Sequence, residues 1–104
     1  MAISVIIQRK FKEKEKAEKL APLIVNLRSL ATSQPGYIAG KTFRCLDCEG
    51  EYLVISTWSS VEDWKRWRDS EQRMELQKQV DELLGEETQY RVYEPLVGGI
   101  IPQF

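Results

Sequence analysis

The three tryptophans of the chain, Trp58, Trp64 and Trp67, all lie in the segment TWSSVEDWKRW. A tryptophan can stack on a flat aromatic ligand and donate one hydrogen bond from its indole N–H, but it also fills hydrophobic cores. Trp64 and Trp67 are three residues apart, so on a helix they share one face. A stripe at this spacing is more often core than ligand site, and the spacing alone leaves both interpretations open.

Two cysteines, Cys45 and Cys48, form a C-x-x-C pair in RCLDC, which can be a redox motif or half of a zinc site. The pair follows a predicted strand, whereas a thiolate is stabilised at the N-terminus of a helix. A spacing of three along an extended strand would direct the two thiols to opposite faces. The chain contains no histidine to complete a zinc site. We therefore expect structural cysteines and no bound metal, with four thiols shared across a dimer as the alternative.

Charge and composition narrow the class of protein. The chain has 15 basic and 16 acidic residues, interleaved along its length, and a net charge of −1. A nucleic-acid-binding protein would carry a basic surface patch, so we expect no nucleic-acid partner. No apolar stretch approaches the roughly 18 residues of a membrane span. We expect no membrane partner and a cytoplasmic location, with the N-terminal segment MAISVIIQRKF forming a strand rather than a signal peptide.

A chain of 104 residues has the length of one domain. We place that domain at residues 1–104, with a core over about residues 3–97 and an apolar tail at 98–104. Runs of β-branched and aromatic residues predict strands at residues 2–10, 37–46, 51–58 and 88–96. The connection between the second and third strands is a tight turn, which makes this pair antiparallel.

Two helical regions complete the pattern. Apolar residues at helical spacing predict a first helix that ends before Pro35, and these residues are Leu20, Leu23, Ile24, Leu27 and Leu30. A second helix is predicted to begin near Val61, with Ser59 and Ser60 as cap candidates and with Ser59 and Glu62 at the spacing of a capping box. We expect it to break near residues 69–71 and to end at Gly85.

The resulting order is β-α-β-β-α-β, which predicts an α+β fold of the ferredoxin-like type. Its sheet has four antiparallel strands, with the helices on one face. The third strand is apolar on both sides, with Tyr52 and Val54 pointing one way and Leu53 and Ile55 the other. A sheet covered by helices on one side only should be polar on its other side. We therefore expect a homodimer in which two sheets pack face to face, forming a dimeric α+β barrel.

Three segments resemble the antibiotic biosynthesis monooxygenase (ABM) domain family. They are QPGY at 34–37, EYLVISTW at 51–58, and the segment 60–70 that contains Trp64 and Trp67. The resemblance covers residues 3–97, approximately, and implies the same dimeric α+β barrel. The family includes cofactor-free monooxygenases of polyketide aromatics, haem degraders and enzymes that degrade small signal molecules. The resemblance therefore specifies one fold, but several possible reactions.

The haem-degrading members can be compared with this chain residue by residue. In them, a helical tryptophan is followed ten residues later by a histidine that binds iron, and an asparagine lies in the first strand. Trp67 matches the tryptophan, but Gln77 stands in place of the histidine and the first strand offers Gln8. An amide oxygen is a poor ligand for haem iron. We do not expect haem degradation.

The resemblance instead implies a cofactor-independent monooxygenase of small electron-rich aromatic substrates, of the polyketide or quinol type. Such a reaction needs no metal or flavin, and the chain carries no G-x-G-x-x-G or P-loop motif. In this interpretation Trp67 stacks on or hydrogen-bonds the substrate, and Gln8 orients a carbonyl. These two are the predicted catalytic residues. The predicted pocket residues are Trp64, Tyr37, Phe43 and Gln77.

Two alternatives remain open at this point. The domain could bind a small apolar or aromatic molecule without turnover, or it could serve only for dimerisation, with its pocket filled by its own side chains. The titratable groups Tyr37, Tyr93, Glu62 and Asp63 are candidate proton acceptors. Glu62 and Asp63 fall in a first helical turn, where carboxylates stabilise the helix, so we predict a structural role for both.

Overall fold

The computed structural model describes residues 2–10, 14–85 and 87–96, which form four strands and three helices. In chain order these are β1 (Ile3–Lys10), α1 (Lys14–Thr32), β2 (Tyr37–Arg44), β3 (Glu51–Trp58), α2 (Val61–Arg68), α3 (Glu71–Leu84) and β4 (Tyr90–Tyr93). The four predicted strands and the break in the second helical region are confirmed. The predicted apolar tail at 98–104 lies outside the described residues. Within the described part of the chain, no helix combines the length and apolarity that a membrane span requires.

The strands form one antiparallel sheet in the order β2-β3-β1-β4, which confirms the ferredoxin-like α+β fold. Side chains alternate across this sheet, as strand geometry requires. Along β1 the alternate positions Ile3, Val5, Ile7 and Arg9 are buried. We call the face that carries them the inner face, and the opposite one, which carries Gln8, the outer face.

The inner face packs against the helices through a core that contains all three tryptophans. Trp58 is 1% exposed, Trp64 2% and Trp67 5%. Edge-to-face contacts link four aromatic rings, with centroids 5.4 Å apart from Tyr37 to Trp58, 5.8 Å from Trp58 to Trp64 and 5.5 Å from Trp64 to Tyr90. Each such contact adds about 0.5–1.5 kcal/mol beyond the buried area. The ring contact between Trp58 and Trp64 therefore packs the end of β3 against α2.

The cap of α2 differs by one residue from the predicted capping box. Ser60, and not Ser59, is the N-cap, and its hydroxyl accepts a hydrogen bond from the Asp63 backbone N–H at 3.2 Å. The Asp63 carboxylate in turn accepts from Ser59 Oγ at 2.6 Å and Ser60 Oγ at 2.9 Å. The carboxylate also packs against Gly36, whose φ of 87° and missing side chain allow the close approach. Asp63 thus has the structural role predicted for it, while Glu62 is exposed.

The other helix ends follow their sequence signals. Ser70 caps α3 by accepting from the Arg73 backbone N–H, and Gly85 ends the helix in the left-handed conformation with φ 76°. The short break between α2 and α3 lets the chain turn, so that both helices contribute side chains to the region above the inner face.

Candidate functional site

A cavity of about 80 Å³ lies between α1, the α2–α3 pair and the inner face of the sheet. Its walls are mainly apolar and aromatic, with Ile7 and Val54 from the sheet, Leu27 from α1, and Trp64 and Trp67 from α2. At one end the exposed side chain of Arg28 borders the opening to solvent. An apolar chamber with a few polar groups is the usual form of a small-molecule site.

Four of the six predicted site residues line this cavity. They are Trp67, Trp64, Tyr37 and Gln77. Within the described residues, the Trp67 indole makes no hydrogen bond, whereas the Trp58 indole N–H donates to Ser56 Oγ at 3.1 Å. Trp67 can therefore offer its N–H to a bound molecule without breaking an existing contact.

The structure does not bring Gln8 and Phe43 to the cavity. Both lie on the outer face, in one row with Leu53, because residues paired across an antiparallel ladder point the same way. Gln8 Nε2 donates to Glu51 Oε1 at 2.9 Å, and Phe43 is 47% exposed. The neighbouring residue Arg9 occupies the inner position that the sequence interpretation assigned to Gln8.

Gln77 belongs to a polar network at the edge of the cavity. Its Oε1 accepts from Arg73 Nη2 at 3.3 Å, while its Nε2 donates to Asp81 Oδ1 at 2.9 Å and Thr88 Oγ1 at 2.6 Å. Thr88 also donates to Asp81 Oδ1 through its backbone N–H, at 3.0 Å, and through its hydroxyl, at 2.6 Å. The Gln77 amide is thus engaged on both sides, which fixes its orientation.

Two buried arginines, Arg9 and Arg73, give the cavity its charge. Arg73 is 5% exposed and donates to the Arg68 carbonyl oxygen at 3.1 Å, to Gln77 and to the Tyr90 hydroxyl. Its guanidinium also lies over the rings of Tyr90, at 4.7 Å from the centroid, and Trp64, at 5.6 Å. These are cation–π contacts, so neutral groups satisfy Arg73.

Arg9 is less well satisfied than Arg73. It is 7% exposed, and its buried Nε has no hydrogen-bond partner. Burial lowers the pKa of the Arg9 guanidinium, and the positive charge of Arg73 lowers it further, while Tyr90 and Asp81 act in the opposite direction. No ion pair among the described residues involves either arginine.

The sequence interpretation missed both arginines, although a signal for each was present. Arg9 continues the alternation Ile3, Val5, Ile7 by one step, so period two places it on the inner face. Arg73 stands four residues before Gln77 and seven before Val80, on the buried side of α3. An arginine near a strand end or on a polar helix is ordinarily expected in solvent, which hid both signals.

The cysteine pair lies outside this cavity, in the turn between β2 and β3. The prediction that the two thiols point to opposite faces is wrong, because the chain leaves the extended conformation after Arg44. Ligand atoms of Cys45, Cys48 and Glu51 lie within 4.8 Å of one another, a spacing that a metal ion could use. Both thiols donate to Asp47 Oδ1, at 3.2 Å from Cys45 and 3.7 Å from Cys48.

The Cys45 thiol is a poor nucleophile. Interaction with the Cys48 thiol, followed by burial and by Asp47, raises the pKa of Cys45 to about 12. A thiol must lose its proton to act as a nucleophile, so Cys45 stays in its unreactive form at neutral pH. The Glu51 carboxylate is also engaged by Lys10 Nζ at 3.3 Å and by Gln8.

A family model described as Antibiotic biosynthesis monooxygenase matches residues 2–79 of the chain. The chain belongs to this family. The match includes β1, α1, the β2–β3 hairpin and the segment carrying Trp64 and Trp67, and therefore most of the cavity walls. A sequence comparison with curated proteins gives no match.

Solved structures of other proteins share this fold. A conserved protein from Methanosarcina mazei Go1 has a TM-score of 0.80 at 20% identity, over 89% of this chain and 91% of that one. Rv0793 from Mycobacterium tuberculosis has a TM-score of 0.79 at 20% identity, over 92% and 96%. SnoaB, a cofactor-independent oxygenase from Streptomyces nogalater, has a TM-score of 0.76 at 13% identity, over 89% and 91%. At these identities the similarity shows the fold alone.

Proposed function

We propose that this ABM-family protein is a cofactor-independent monooxygenase of small electron-rich aromatic compounds. The observation that carries the proposal is the aromatic cavity beside the Trp67 indole, whose N–H has no partner among the described residues. The family membership and the fold shared with the oxygenase SnoaB support the same reaction class.

The reaction class asks little chemistry of the protein itself. A phenol or activated CH₂ group loses a proton, and the resulting anion passes one electron to O₂. The two radicals combine to a peroxide, which eliminates water. In an anthrone CH₂ and O₂ thereby become C=O and H₂O, and in a quinol one ring C–H gains an oxygen atom, so that quinol and O₂ become a hydroxyquinone and H₂O. The protein must bind the flat substrate, favour its anion and exclude bulk water. Trp67 supplies the stacking surface, and the positive charges of Arg9 and Arg73 favour the anion.

The size of the cavity favours a quinol-type substrate. A cavity of roughly 150 Å³ is known to bind benzene, whereas the present one measures about 80 Å³. One aromatic ring can be accommodated if a side chain at the mouth, such as Arg28, moves outward. A three-ring polyketide would require a much larger rearrangement of the core, at a cost in packing that a single ring avoids.

Oxygen uptake over a panel of quinols and anthrones tests this proposal. We expect turnover of one-ring quinols, and a loss of about tenfold or more in kcat/KM for Trp67→Phe, equivalent to roughly 1.4 kcal/mol of transition-state stabilisation. Trp58→Phe is the matched control, because its indole N–H is already bonded to Ser56 and the change should affect kcat/KM less. Equal rates for wild type and Trp67→Phe would remove the role assigned to Trp67.

A second function, ligand binding without turnover, is favoured by a different observation. Among the described residues, no carboxylate or histidine lines the cavity, so no evident general base stands beside a substrate. A binding protein would show ligand-dependent thermal stabilisation, which follows from mass action, but no oxygen consumption. The same quinol panel, assayed by thermal shift and by oxygen electrode, separates the two functions.

We also propose that the protein is a homodimer formed through the outer face of the sheet. The apolar side chains Ile6, Leu53, Ile55 and Phe43 share this face, according to the strand register. An outer face of this composition is stabilised when a second sheet covers it. Light scattering at micromolar concentration tests the proposal, and a monomer at that concentration would contradict it.

A further inference from the structure

The cavity wall is more positively charged than the chain as a whole. The whole protein carries 16 acidic and 15 basic residues. The cavity, however, is bordered by three basic side chains, Arg9, Arg28 and Arg73, and by no acidic one among the described residues. A wall with three cations and no carboxylate produces a positive potential, which attracts an anion.

The two inner cations are buried, and neither forms an ion pair among the described residues. The charge of Asp81 acts on Arg9 at a distance and raises its pKa, but Asp81 makes no hydrogen bond to either arginine and accepts from the Gln77 amide instead. The Asp81 oxygen is further occupied by Thr88. Burying a charge is costly unless it is paired and hydrogen-bonded, so an unpaired arginine at this depth indicates a ligand that completes the pair.

Arg9 is the residue whose donors remain available. Among the described residues no hydrogen bond from its side chain is found, and its Nε is buried and unpaired. Arg73, by contrast, already donates to Arg68, Gln77 and Tyr90. Arg9 can therefore bond a ligand directly, whereas Arg73 adds a second positive charge held in place by its neutral partners.

We propose that the cavity binds a small planar molecule bearing a carboxylate, whose oxygens accept hydrogen bonds from Arg9 while Arg73 supplies a second positive charge. The planar fork of a guanidinium matches the two oxygens of a carboxylate, which makes this pairing stronger than a bond to a neutral carbonyl. The aromatic walls, including Trp64 and Trp67, hold the flat part of the molecule. The proposal rests on the proposed function only in taking this cavity as the substrate site, and it names an aromatic carboxylate as the substrate class.

Calorimetric titration with benzoate and benzamide tests the site without any turnover, since neither probe is oxidised in the proposed reaction. The two molecules share their shape and differ in charge. We expect wild-type protein to bind benzoate at least about tenfold more tightly than benzamide, equivalent to roughly 1.4 kcal/mol. Equal affinities, or no binding of benzoate at millimolar concentration, would overturn the proposal.

Variants locate the binding. Arg9→Met removes the charge but keeps a long apolar side chain, and we expect it to abolish the preference for benzoate over benzamide. The control Lys65→Met removes one positive charge from an exposed position on α2 and should leave the preference intact. A preference that survives in Arg9→Met, or that is lost equally in Lys65→Met, would contradict the assignment to Arg9.

The wild-type comparison needs no variant, so the proposal remains falsifiable if Arg9→Met does not fold. Its outcome is also separable from that of the oxygenase assay. Benzoate selectivity without oxygen uptake would leave the carboxylate site standing and reject the oxygenase. Turnover of neutral quinols together with equal binding of the two probes would reject the carboxylate site alone.

Discussion

The two buried arginines should respond with opposite signs to the same substitution. The Arg9 Nε is buried without a partner, and an unsatisfied buried polar group costs about 1–3 kcal/mol of folding free energy. Arg9→Met removes that group and retains most of the apolar stem. A void left by the shorter side chain takes back part of the gain, on the order of 1 kcal/mol. We expect the free energy of unfolding to rise by about 1 kcal/mol, and Tm by roughly 4 °C or more.

Arg73→Met is the matched control, because Arg73 is buried to a similar degree but fully engaged. Its removal leaves the Arg68 carbonyl, the Gln77 oxygen and the Tyr90 hydroxyl without their donor, and it deletes two cation–π contacts. At about 1 kcal/mol or more for each unsatisfied group, we expect a loss of at least about 2 kcal/mol.

Urea denaturation at pH 7 followed by tryptophan fluorescence measures both changes. The buffer should contain no carboxylate or phosphate, because an anion bound to the native wild type would raise its stability and hide the difference. If Arg9→Met and Arg73→Met destabilise the protein equally, Arg9 has a structural partner, and the inference of an unpaired buried charge is wrong.

Two further predictions concern the walls of the cavity and the cap of α2. Gly40→Ala should destabilise the protein by about 1–3 kcal/mol in thermal unfolding, because the new Cβ would overlap the Tyr37 hydroxyl. Adding Tyr37→Phe should restore most of the lost stability. A double variant as unstable as Gly40→Ala would contradict this contact. Hydrogen bonds from Ser59 and then Ser60, together with the Arg66 charge, hold the pKa of Asp63 below its usual 3.8. The ionised carboxylate therefore stabilises the fold above pH 3.8 and loses its effect as the pH falls through the lower native pKa. Asp63→Asn should therefore reduce the loss of folding free energy at acid pH. An unchanged acid dependence of stability would refute the stabilising role of the Asp63 carboxylate.

Local sequence patterns predicted the fold well because they act over short distances. Residues a few positions apart specify each of three features: the alternation of buried and exposed side chains along a strand, the apolar stripe of a helix, and the left-handed Gly85 at a helix end. The cap of α2 shows the limit of such signals. The sequence offered both Ser59 and Ser60 as caps, and the structure uses Ser60, while the Ser59 backbone N–H donates to the Gly36 carbonyl oxygen at 2.7 Å.

The candidate site was predicted in part, and the error at Gln8 has a positional cause. Trp64, Trp67, Tyr37 and Gln77 were placed in the pocket from the ABM resemblance, and the structure brings them to one cavity. Gln8 was expected there for its chemistry rather than its position in the alternation. A shift of one residue along a strand moves a side chain to the opposite face of the sheet, so the first strand offers the cavity an arginine instead of an amide.

The sequence by itself determined the order of elements, the family and the aromatic character of the segment that joins β3 to α2, because each depends on composition and spacing along the chain. Only the tertiary structure decided the charge of the cavity. Arg9 and Arg73 are 64 positions apart in the sequence and meet because β1 and α3 contribute to the same chamber. Packing between distant segments decides which groups surround the two arginines and leaves the cavity without a carboxylate in its wall, and no local pattern encodes this.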